Sequence, residues 1–361
     1  MTPRQKTHAV YIGWSAAVAA ALVAGLVGGP VSASAAPRSH AVGPGGSIQE
    51  AVDAARPGDT VVIAPGLYRE SVRITKALTL RGSGPGTVLT PGTARTRAAK
   101  GCAEEGNGIC VTGTAERELA GVSVRSLTLR GYRRTGLWAS RTDRLSVRRV
   151  TSEANGVWGI AQHRSVRSVL KGNTVLENGD AGIFVANAID AEGGATDTGG
   201  TEIAENRAAG NRIGVTVRRV RNLSVRNNTV TGNCAGMFIV GDESRPAAGA
   251  MTVRSNTVER NNLFCPATER LPALQGSGIV LTGSEATVVR DNRVRDNVGT
   301  WPMSGGIVLF KSFVGAANTD NVIERNDVTG NSAADLIDGG GGTGNRFADN
   351  VCATSRPGGM C

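Results

Sequence analysis

The sequence predicts an all-β fold, a parallel β-helix of about ten stacked turns with a short capping helix at its N-terminal end. The first observation behind this prediction is a repeat: in six copies, an Asn is followed five residues later by a second Asn. An aliphatic residue stands three before the first Asn, and a small apolar residue stands two after it. The second observation is composition, because the apolar residues, 40% of the chain, are mainly Val, Ile, Leu and Ala, and Val and Ile favour strands. Each repeat is too short to bury its own apolar face, so consecutive turns must stack.

The two Asn positions define two columns that run through the predicted stack. The first column holds Asn173, Asn206, Asn228, Asn256, Asn292 and Asn326. The second column holds Asn178, Asn211, Asn233, Asn261, Asn297 and Asn331. Stacked turns lie about 4.8 Å apart, a spacing at which Asn side chains hydrogen-bond to one another in ladders, and Asn also tolerates the left-handed backbone of sharp turns. Extended backward, the repeat frame puts Arg148 and Arg125 in the first column. Leu145 and Val150 are then the apolar flanks of Arg148.

The N-terminus has the pattern of a secretory signal peptide. Arg4 and Lys6 form its charged start, residues 16–27 form its apolar centre, and small residues precede a cleavage site expected near Ala36. The apolar centre is short for a membrane span. We therefore expect a secreted protein that has no membrane contact after cleavage. The expected segments are the signal peptide at 1–36 and a single domain at 37–361, made of a lead and capping helix at 37–60, stacked turns at 61–350 and a tail at 351–361.

The start of the domain predicts the cap of the β-helix. Ser47 is a suitable N-cap for a short amphipathic helix, Ile48 and Val52 lie on its apolar face, and Pro57-Gly58 stops it. A helix at this end keeps the open edge of the first turn from pairing with other chains.

A family resemblance rests on the N-terminal segment GSIQEAVDAARPGDTVVIAPGLYRESVRITKALTLRGSG and the N-x-V and G-I-x-V repeats that follow it. This combination resembles right-handed parallel β-helix proteins of the pectin-lyase-like superfamily, over about residues 42–349. The resemblance implies a right-handed coil. It leaves the activity open, because that superfamily includes lyases, hydrolases, epimerases and non-catalytic proteins. The calcium-binding Asp and catalytic Arg set of pectate-lyase-like enzymes is not recognisable here, and the Asp-Pro-His of alginate-epimerase-like proteins is absent.

A second resemblance, to β-helix proteins that assist copper-enzyme maturation, covers the repeats only. One His in the stacked turns and few Met make no copper-binding cluster.

Six Cys fit an exported protein. Of the fifteen ways to pair six Cys, we favour three local disulfides, in which each Cys pairs with its nearest neighbour along the chain. These pairs are Cys102 with Cys110, Cys234 with Cys265, and Cys352 with Cys361. Metal ligation is the alternative, but the sequence has no C-x-x-C motif or nearby His pair.

A candidate binding face is predicted on the third recurring strand of each turn. Side chains alternate along a strand, so two columns of that strand face outward. One outward column contains four candidate substrate-binding residues: Trp138, Phe184, Thr216 and Phe238. Four inserted loops border this face, and loops on one edge of a regular scaffold often carry function. The face is either a groove for flat sugar rings or an apolar surface that the loops cover.

The other outward column suggests the chemistry. His163 and Arg218 lie in it two turns apart, and Lys311 follows a later strand. A base beside a cation suits proton abstraction next to a neutralised uronate carboxylate, with His163 as the base and Arg218 or Lys311 as the neutralising group. The alternative is that His163 is a surface residue near a turn.

The acidic residues allow two further interpretations. Hydrolysis of a glycoside needs two carboxylates about 5–10 Å apart, and Asp180 and Asp242 are among the candidates. Asp190, Glu192 and Asp197 offer hard oxygen ligands for Ca²⁺, or they form a solvated polar loop. No cofactor is required by any of these hypotheses.

The leading hypothesis is a secreted, monomeric protein that binds an acidic polysaccharide and modifies it as a lyase or epimerase. The net charge of +10 suits an anionic partner, and the alternative explanation is a solvated Arg-rich surface. Nucleic acid is not expected, since no basic run with interleaved aromatic residues is present. The alternatives are a non-catalytic wall- or glycan-binding protein and a purely structural surface module.

Overall fold

Three long parallel sheets form the walls of the β-helix, and most turns of the chain contribute one strand to each sheet. A computed structural model describes residues 36–92, 97–187, 193–269 and 271–361. The proposed signal peptide, except Ala36, lies outside the described residues. Residues 37–361 cluster as one compact unit. Within the described residues, no helix has the length and apolar character to cross a membrane.

Sheet 1 consists of twelve consecutive strands, and two short strands pair beside it. The twelve are Ser39–Val42, Thr60–Ile63, Thr79–Gly82, Ser123–Arg125, Ser146–Arg148, Val169–Lys171, Thr196–Ala204, Val220–Arg226, Thr252–Arg254, Val288–Arg290, Val322–Glu324 and Arg346–Ala348; the two are Ala248–Gly249 and Ser284–Glu285. Sheet 2 consists of Gly66–Arg69, Thr87–Thr90, Thr128–Arg130, Thr151–Glu153, Thr174–Leu176, Arg207–Ala209, Thr229–Thr231, Thr257–Glu259, Arg293–Arg295 and Asp327–Thr329.

Most strands of sheet 3 have five or six residues. They are Val72–Ile74, Ile109–Thr112, Thr135–Ser140, Trp158–His163, Ala181–Ala186, Ile213–Arg218, Ala235–Val240, Ser277–Thr282, Gly305–Leu309, Leu336–Asp338 and Ser355–Arg356. A fourth, two-stranded sheet pairs Leu119–Ala120 with Thr142–Asp143. The ten to twelve strands per sheet confirm the prediction of a parallel β-helix of about ten turns.

One apolar core runs the length of the coil, and both predicted Asn ladders follow it. In the first ladder, each Asn Nδ2 donates to the Oδ1 of the Asn one turn later at 2.9–3.0 Å, from Asn173 to Asn350. The second ladder has the same geometry and continues backward to Asn155, which the repeat frame did not include. The left-handed backbone lies at the residue before each first-ladder Asn, such as Glu205 with φ 56°, and not at the Asn itself.

The backward extension of the repeat frame was wrong by two residues. Leu170 pairs with Val147, and the Oδ1 of Asn173 accepts the N–H of Val150, so Val150 and not Arg148 stands at the first-column position. Arg125, which pairs with Arg148, is misplaced in the same way. A shift of two preserves the inward and outward alternation of a strand, and for that reason the apolar pattern fitted both registers.

The N-terminal cap forms as predicted. Helix α1 spans Ile48–Ala54, and the Ser47 side chain accepts the N–H of Glu50 at 3.3 Å. The buried carboxylate of Glu70 supplies a further cap, because its oxygens accept the N–H groups of Ile48 and Gln49 at 2.9 and 3.2 Å. Ile48 and Val52 are buried in the main core, so α1 closes the first turn.

The three local disulfides are confirmed, and one of them involves a helix that the sequence did not predict. Helix α2 spans Arg97–Glu104 and carries Cys102, which pairs with Cys110. Cys234 pairs with Cys265, and Cys352 pairs with Cys361. Three disulfides are typical of an oxidising, extracytoplasmic compartment.

Candidate functional site

A cleft of about 460 Å³ opens on the outer face of sheet 3. This sheet 3 cleft is lined by Trp158, Asp180, Phe184, Ile213, Thr216, Arg218, Arg219, Phe238, Val240, Gly241, Asp242, Leu271, Thr282, Met303, Phe310, Ser312, Phe313 and Val314. Its size falls within the range of small-ligand sites. Its floor consists of the strands at Ala181–Ala186, Ile213–Arg218 and Ala235–Val240, and loops form its walls.

The predicted outward column is present and in register. Trp138 pairs with Ala161, Ala161 with Phe184, Phe184 with Thr216, and Thr216 with Phe238. Three of the four candidate substrate-binding residues therefore line the cleft: Phe184, Thr216 and Phe238. Each is at most 6% exposed, and the two Phe side chains pack in apolar clusters with residues of neighbouring strands and loops. The loops thus cover part of the face and leave a cleft in the remainder.

A column of glycines directs two further residues into the cleft. Gly159, Gly182 and Gly214 stand one residue before the core-facing Ile160, Ile183 and Val215. A Cβ on Gly182 would lie 2.7 Å from Val175 Cγ2 and 3.0 Å from the Nδ2 of ladder Asn211, so this position also points inward. Two successive inward residues interrupt the alternation.

The residue before each of these glycines consequently faces out. Trp158 and Ile213 occupy such positions and line the cleft. Strict alternation missed both of them, and the recurring Gly was the signal in the sequence that could have identified them.

Trp138 lies outside the cleft and belongs to an aromatic row beside it. Its ring stacks on Trp158 at 5.9 Å between centroids, and Trp158 stacks on Phe184 at 4.6 Å. Trp138 also stacks on His163, with 6.0 Å between the ring centroids. The row leads from the lining of the cleft to the predicted base.

His163 and Arg218 lie in one column, as the alternation predicted. His163 pairs with Ala186, and Ala186 pairs with Arg218, which puts the two residues two strands or about 10 Å apart. Arg218 lines the cleft and His163 does not. The Nδ1 of His163 lies 3.4 Å from the Ser140 hydroxyl. Lys311 is exposed and does not line the cleft, although the next three residues along the chain do.

A loop, described at residues 263–269 and 271–276, contributes Leu271 to one wall of the cleft, and two anchors, one covalent and one polar, hold it. The first is the disulfide between Cys234 and Cys265. The second is Arg212, whose guanidinium donates to the carbonyls of Pro266 at 2.7 Å and Pro272 at 3.2 Å. Burial lowers the pKa of Arg212, and the nearby Asp180 carboxylate acts in the opposite sense. These anchors hold Leu271 at the cleft.

Two carboxylates contribute to the cleft, at opposite ends of its strands. Asp180 precedes the strand at Ala181–Ala186 and accepts a hydrogen bond from Trp158 Nε1 at 3.0 Å. Asp242 follows the strand at Ala235–Val240 and forms a buried ion pair with Arg219. Six strand residues separate the two backbone positions by about 20 Å along the strand direction. This backbone separation is larger than the distance of about 5–10 Å between carboxyl groups that glycoside hydrolysis requires.

The predicted calcium ligands fall only partly within the described residues. Asp190 and Glu192 lie outside them. The Asp197 carboxylate accepts the N–H of Gly199 at 2.8 Å and the Nδ2 of Asn222 at 2.9 Å, and these donors lower its pKa. Within the described part of the chain, no group of three or more His, Cys, Asp or Glu residues could hold a metal ion.

Two family models match the repeats. "Right handed beta helix region" matches residues 99–263, and "Periplasmic copper-binding protein (NosD)" matches residues 190–358. The described residues do not fit a copper site, because all six Cys are in disulfides and no cluster of metal-binding side chains occurs among them. No curated protein matches the chain.

Solved structures share the fold at low identity. The A-module of the mannuronan C-5 epimerase AlgE4 from Azotobacter vinelandii superposes with a TM-score of 0.57 and 19% identity, over 86% of this chain and 91% of that one. An alginate lyase from Paenibacillus sp. str. FPU-7 gives 0.53 and 12%, over 88% and 99%. The Dettilon tailspike protein gives 0.54 and 13%, over 88% and 68%. The chain has the right-handed parallel β-helix fold.

Proposed function

We propose that the protein binds an acidic polysaccharide in the sheet 3 cleft. The observation that carries the proposal is the position of Arg218 beside the aromatic floor formed by Phe184 and Phe238. Aromatic rings offer apolar surface against which the faces of sugar rings pack. An Arg guanidinium binds a carboxylate through two parallel hydrogen bonds. The solved structures of an alginate lyase and a mannuronan epimerase with the same fold support this class of ligand.

A second, more specific hypothesis is base-catalysed modification of the bound uronate. It is supported by His163, which lies in the same column as Arg218 at about two strand spacings. His163 would take the proton next to the carboxylate while Arg218 neutralises the charge that develops. Lys311 would act as a second neutralising group only after its loop moves towards the cleft. A lyase or an epimerase fits this arrangement better than a hydrolase does, given the wide separation of Asp180 and Asp242.

We further propose that the protein is secreted as a monomer after removal of the N-terminal segment. The signal-like pattern of residues 1–36 supports export. The three disulfides support an oxidising environment. We also propose that Asp197, together with Asp190 and Glu192, binds Ca²⁺ through carboxylate oxygens.

Binding is tested by replacing Arg218. Affinity for polyuronates such as alginate and polygalacturonate should fall about tenfold in Arg218→Gln, since one charged hydrogen-bonded contact is lost. Arg207→Gln, an exposed Arg on sheet 2, is the matched control and should retain wild-type affinity. Equal affinity of the two variants for every polyuronate tested would show that the ligand does not contact Arg218.

Catalysis is tested separately on the same polymers. A lyase creates a conjugated double bond that absorbs in the ultraviolet, and an epimerase changes the uronate composition that nuclear magnetic resonance detects. Activity should disappear in His163→Ala with the β-helix still folded. Binding without either product signal in the wild-type protein would leave the non-catalytic glycan-binding function and remove the enzymatic one.

A further inference from the structure

The outer face of sheet 1 carries a continuous column of cations that the sheet 3 cleft does not use. Strand register aligns Arg81 with Arg125, Arg125 with Arg148, and Arg148 with Lys171. After Ala204, the column continues through Arg226, Arg254 and Arg290. We define the basic stripe as these seven residues: Arg81, Arg125, Arg148, Lys171, Arg226, Arg254 and Arg290. From first to last it crosses seven strand spacings, or about 34 Å.

The geometry points to the basic stripe as a binding surface for a linear anionic polysaccharide that lies along the axis of the coil. Like charges on directly opposed strand positions repel one another. A column of seven cations on eight successive strands therefore opposes the stability of the sheet, and an anionic ligand would relieve that repulsion. Neighbouring charges are one strand spacing apart except at Ala204, where the spacing doubles, and this near-regular row suits a polymer with one charge per repeating unit.

Ion pairs neutralise only part of the basic stripe. Lys171 pairs with Glu205 at 3.0 Å, Arg226 pairs with Glu202, and Arg290 pairs with Asp291 at 2.7 Å. Within the described residues, Arg81, Arg125, Arg148 and Arg254 make no ion pair.

The uncompensated charge is concentrated towards the N-terminal end of the basic stripe. The Nε of Arg125 is a buried donor without a hydrogen-bond partner among the described residues. The Nε of Arg148 donates only to a hydroxyl, that of Ser146, at 3.0 Å. Several neighbouring cations without an ion pair favour an incoming anion.

The neighbouring side chains favour a glycan over nucleic acid. The outward position two residues before the basic stripe is mainly hydroxyl-bearing, with Ser123, Ser146, Ser224 and Thr252. These groups match sugar hydroxyls in hydrogen bonding. Neither outward column of sheet 1 between Arg81 and Arg290 contains an aromatic residue on which bases would stack.

The test compares two variants of equal charge. Arg81→Gln/Arg125→Gln/Arg148→Gln removes three charges from the basic stripe. Arg69→Gln/Arg207→Gln/Arg356→Gln removes three exposed charges elsewhere. Affinity for polygalacturonate at low salt should fall about tenfold or more in the stripe variant, because each lost contact also forfeits the release of bound counterions. The control variant should change by about twofold at most, and fully methyl-esterified polygalacturonate should not bind the basic stripe.

Further experiments distinguish binding at the basic stripe from binding in the sheet 3 cleft and from unfolding of the variant. In an Arg218→Gln background, the stripe substitutions should lower affinity by the same factor, because distant sites act additively. The corresponding Arg→Lys triple variant keeps the charge and should retain most of the binding. Equal loss in the stripe and control variants, or tighter binding of duplex DNA than of polygalacturonate by the wild-type protein, would overturn the proposal. So would unchanged affinity over a salt series of the wild-type protein, a measurement that needs no variant.

Discussion

At the scale of single residues, the ladder Asn side chains do more than bridge neighbouring turns. The Oδ1 of Asn228 accepts both the backbone N–H and the Nδ2 of Asn206, each at 2.9 Å. Its Nδ2 donates to Asn256 Oδ1 and to the carbonyl of Ile203, again at 2.9 Å. All of these groups are buried, so an Asn satisfies polar backbone atoms that water cannot reach.

Asn228→Ala should consequently destabilise the fold by about 3 kcal/mol, because several buried polar atoms lose their partners at once. Chemical denaturation followed by circular dichroism measures this loss. Asn350→Ala removes the last member of the same ladder, which is 8% exposed and has one neighbouring Asn. Its cost should be about 1 kcal/mol. Equal losses of stability at the two positions would contradict the claim that an interior ladder Asn satisfies more buried polar atoms than the terminal Asn does.

At the scale of elements, the loop that contributes Leu271 to the cleft, here called the wall loop, links the stability of the fold to the shape of the cleft. Its Cys265 is bonded to Cys234, directly after ladder residue Asn233, and its Leu271 lines the cleft. Among its described residues, the loop has a β-bridge between Cys265 and Leu274 and a backbone hydrogen bond from Thr268 N to Leu271 O at 2.8 Å. The anchors to the β-helix position the loop as a whole, and its internal hydrogen bonds to Thr268 hold Leu271 within it.

Cys234→Ser/Cys265→Ser should cost about 3 kcal/mol in stability and also weaken polyuronate binding, because the wall loop is released. Thermal unfolding and equilibrium binding measure the two effects. Cys352→Ser/Cys361→Ser is the matched control, since it removes a disulfide at the C-terminal end. The control should lose stability and keep its affinity. A wall-loop variant with unchanged affinity would show that the wall does not contact the ligand.

A second element-scale prediction concerns the segment before α1. The N–H of Arg38, the His40 side chain and the N–H of Arg56 all contact the Asp59 carboxylate, and they hold its pKa well below the usual range. A carboxyl whose pKa is lowered by folding stabilises the fold above its unfolded pKa, about 4, and this contribution is lost as the pH falls below that value. The contribution of the Asp59 carboxylate to the stability of the fold should therefore decrease in acid.

Asp59→Asn should lower the melting temperature at neutral pH. The difference in melting temperature between the variant and the wild-type protein should decrease as the pH drops from about 5 to about 2. Melting curves of both proteins across this range measure the effect. Parallel curves, with a constant gap at every pH, would contradict the assignment.

At the scale of the whole molecule, the repeat predicted the fold because a stacked coil repeats the same contacts in every turn. The Asn columns and the outward column with Phe184 and Phe238 followed directly. The strand register before Asn173 could not be predicted in the same way. The predicted and the observed alignments differ by two residues, and both of them put Leu145 and Val150 at buried positions. Trp158 was missed because a glycine without space for a Cβ interrupts the alternation next to it. The cleft could not be predicted, because its walls are irregular loops whose positions depend on tertiary anchors such as Arg212.

The central claim is that a uronate polysaccharide occupies the sheet 3 cleft, and a crystal structure with a bound uronate oligosaccharide tests it most directly. The account predicts sugar rings packed over Phe184 and Phe238 and a carboxylate within hydrogen-bonding distance of the Arg218 guanidinium. An oligosaccharide that binds in solution but lies elsewhere on the protein, with the cleft filled only by water, would contradict it.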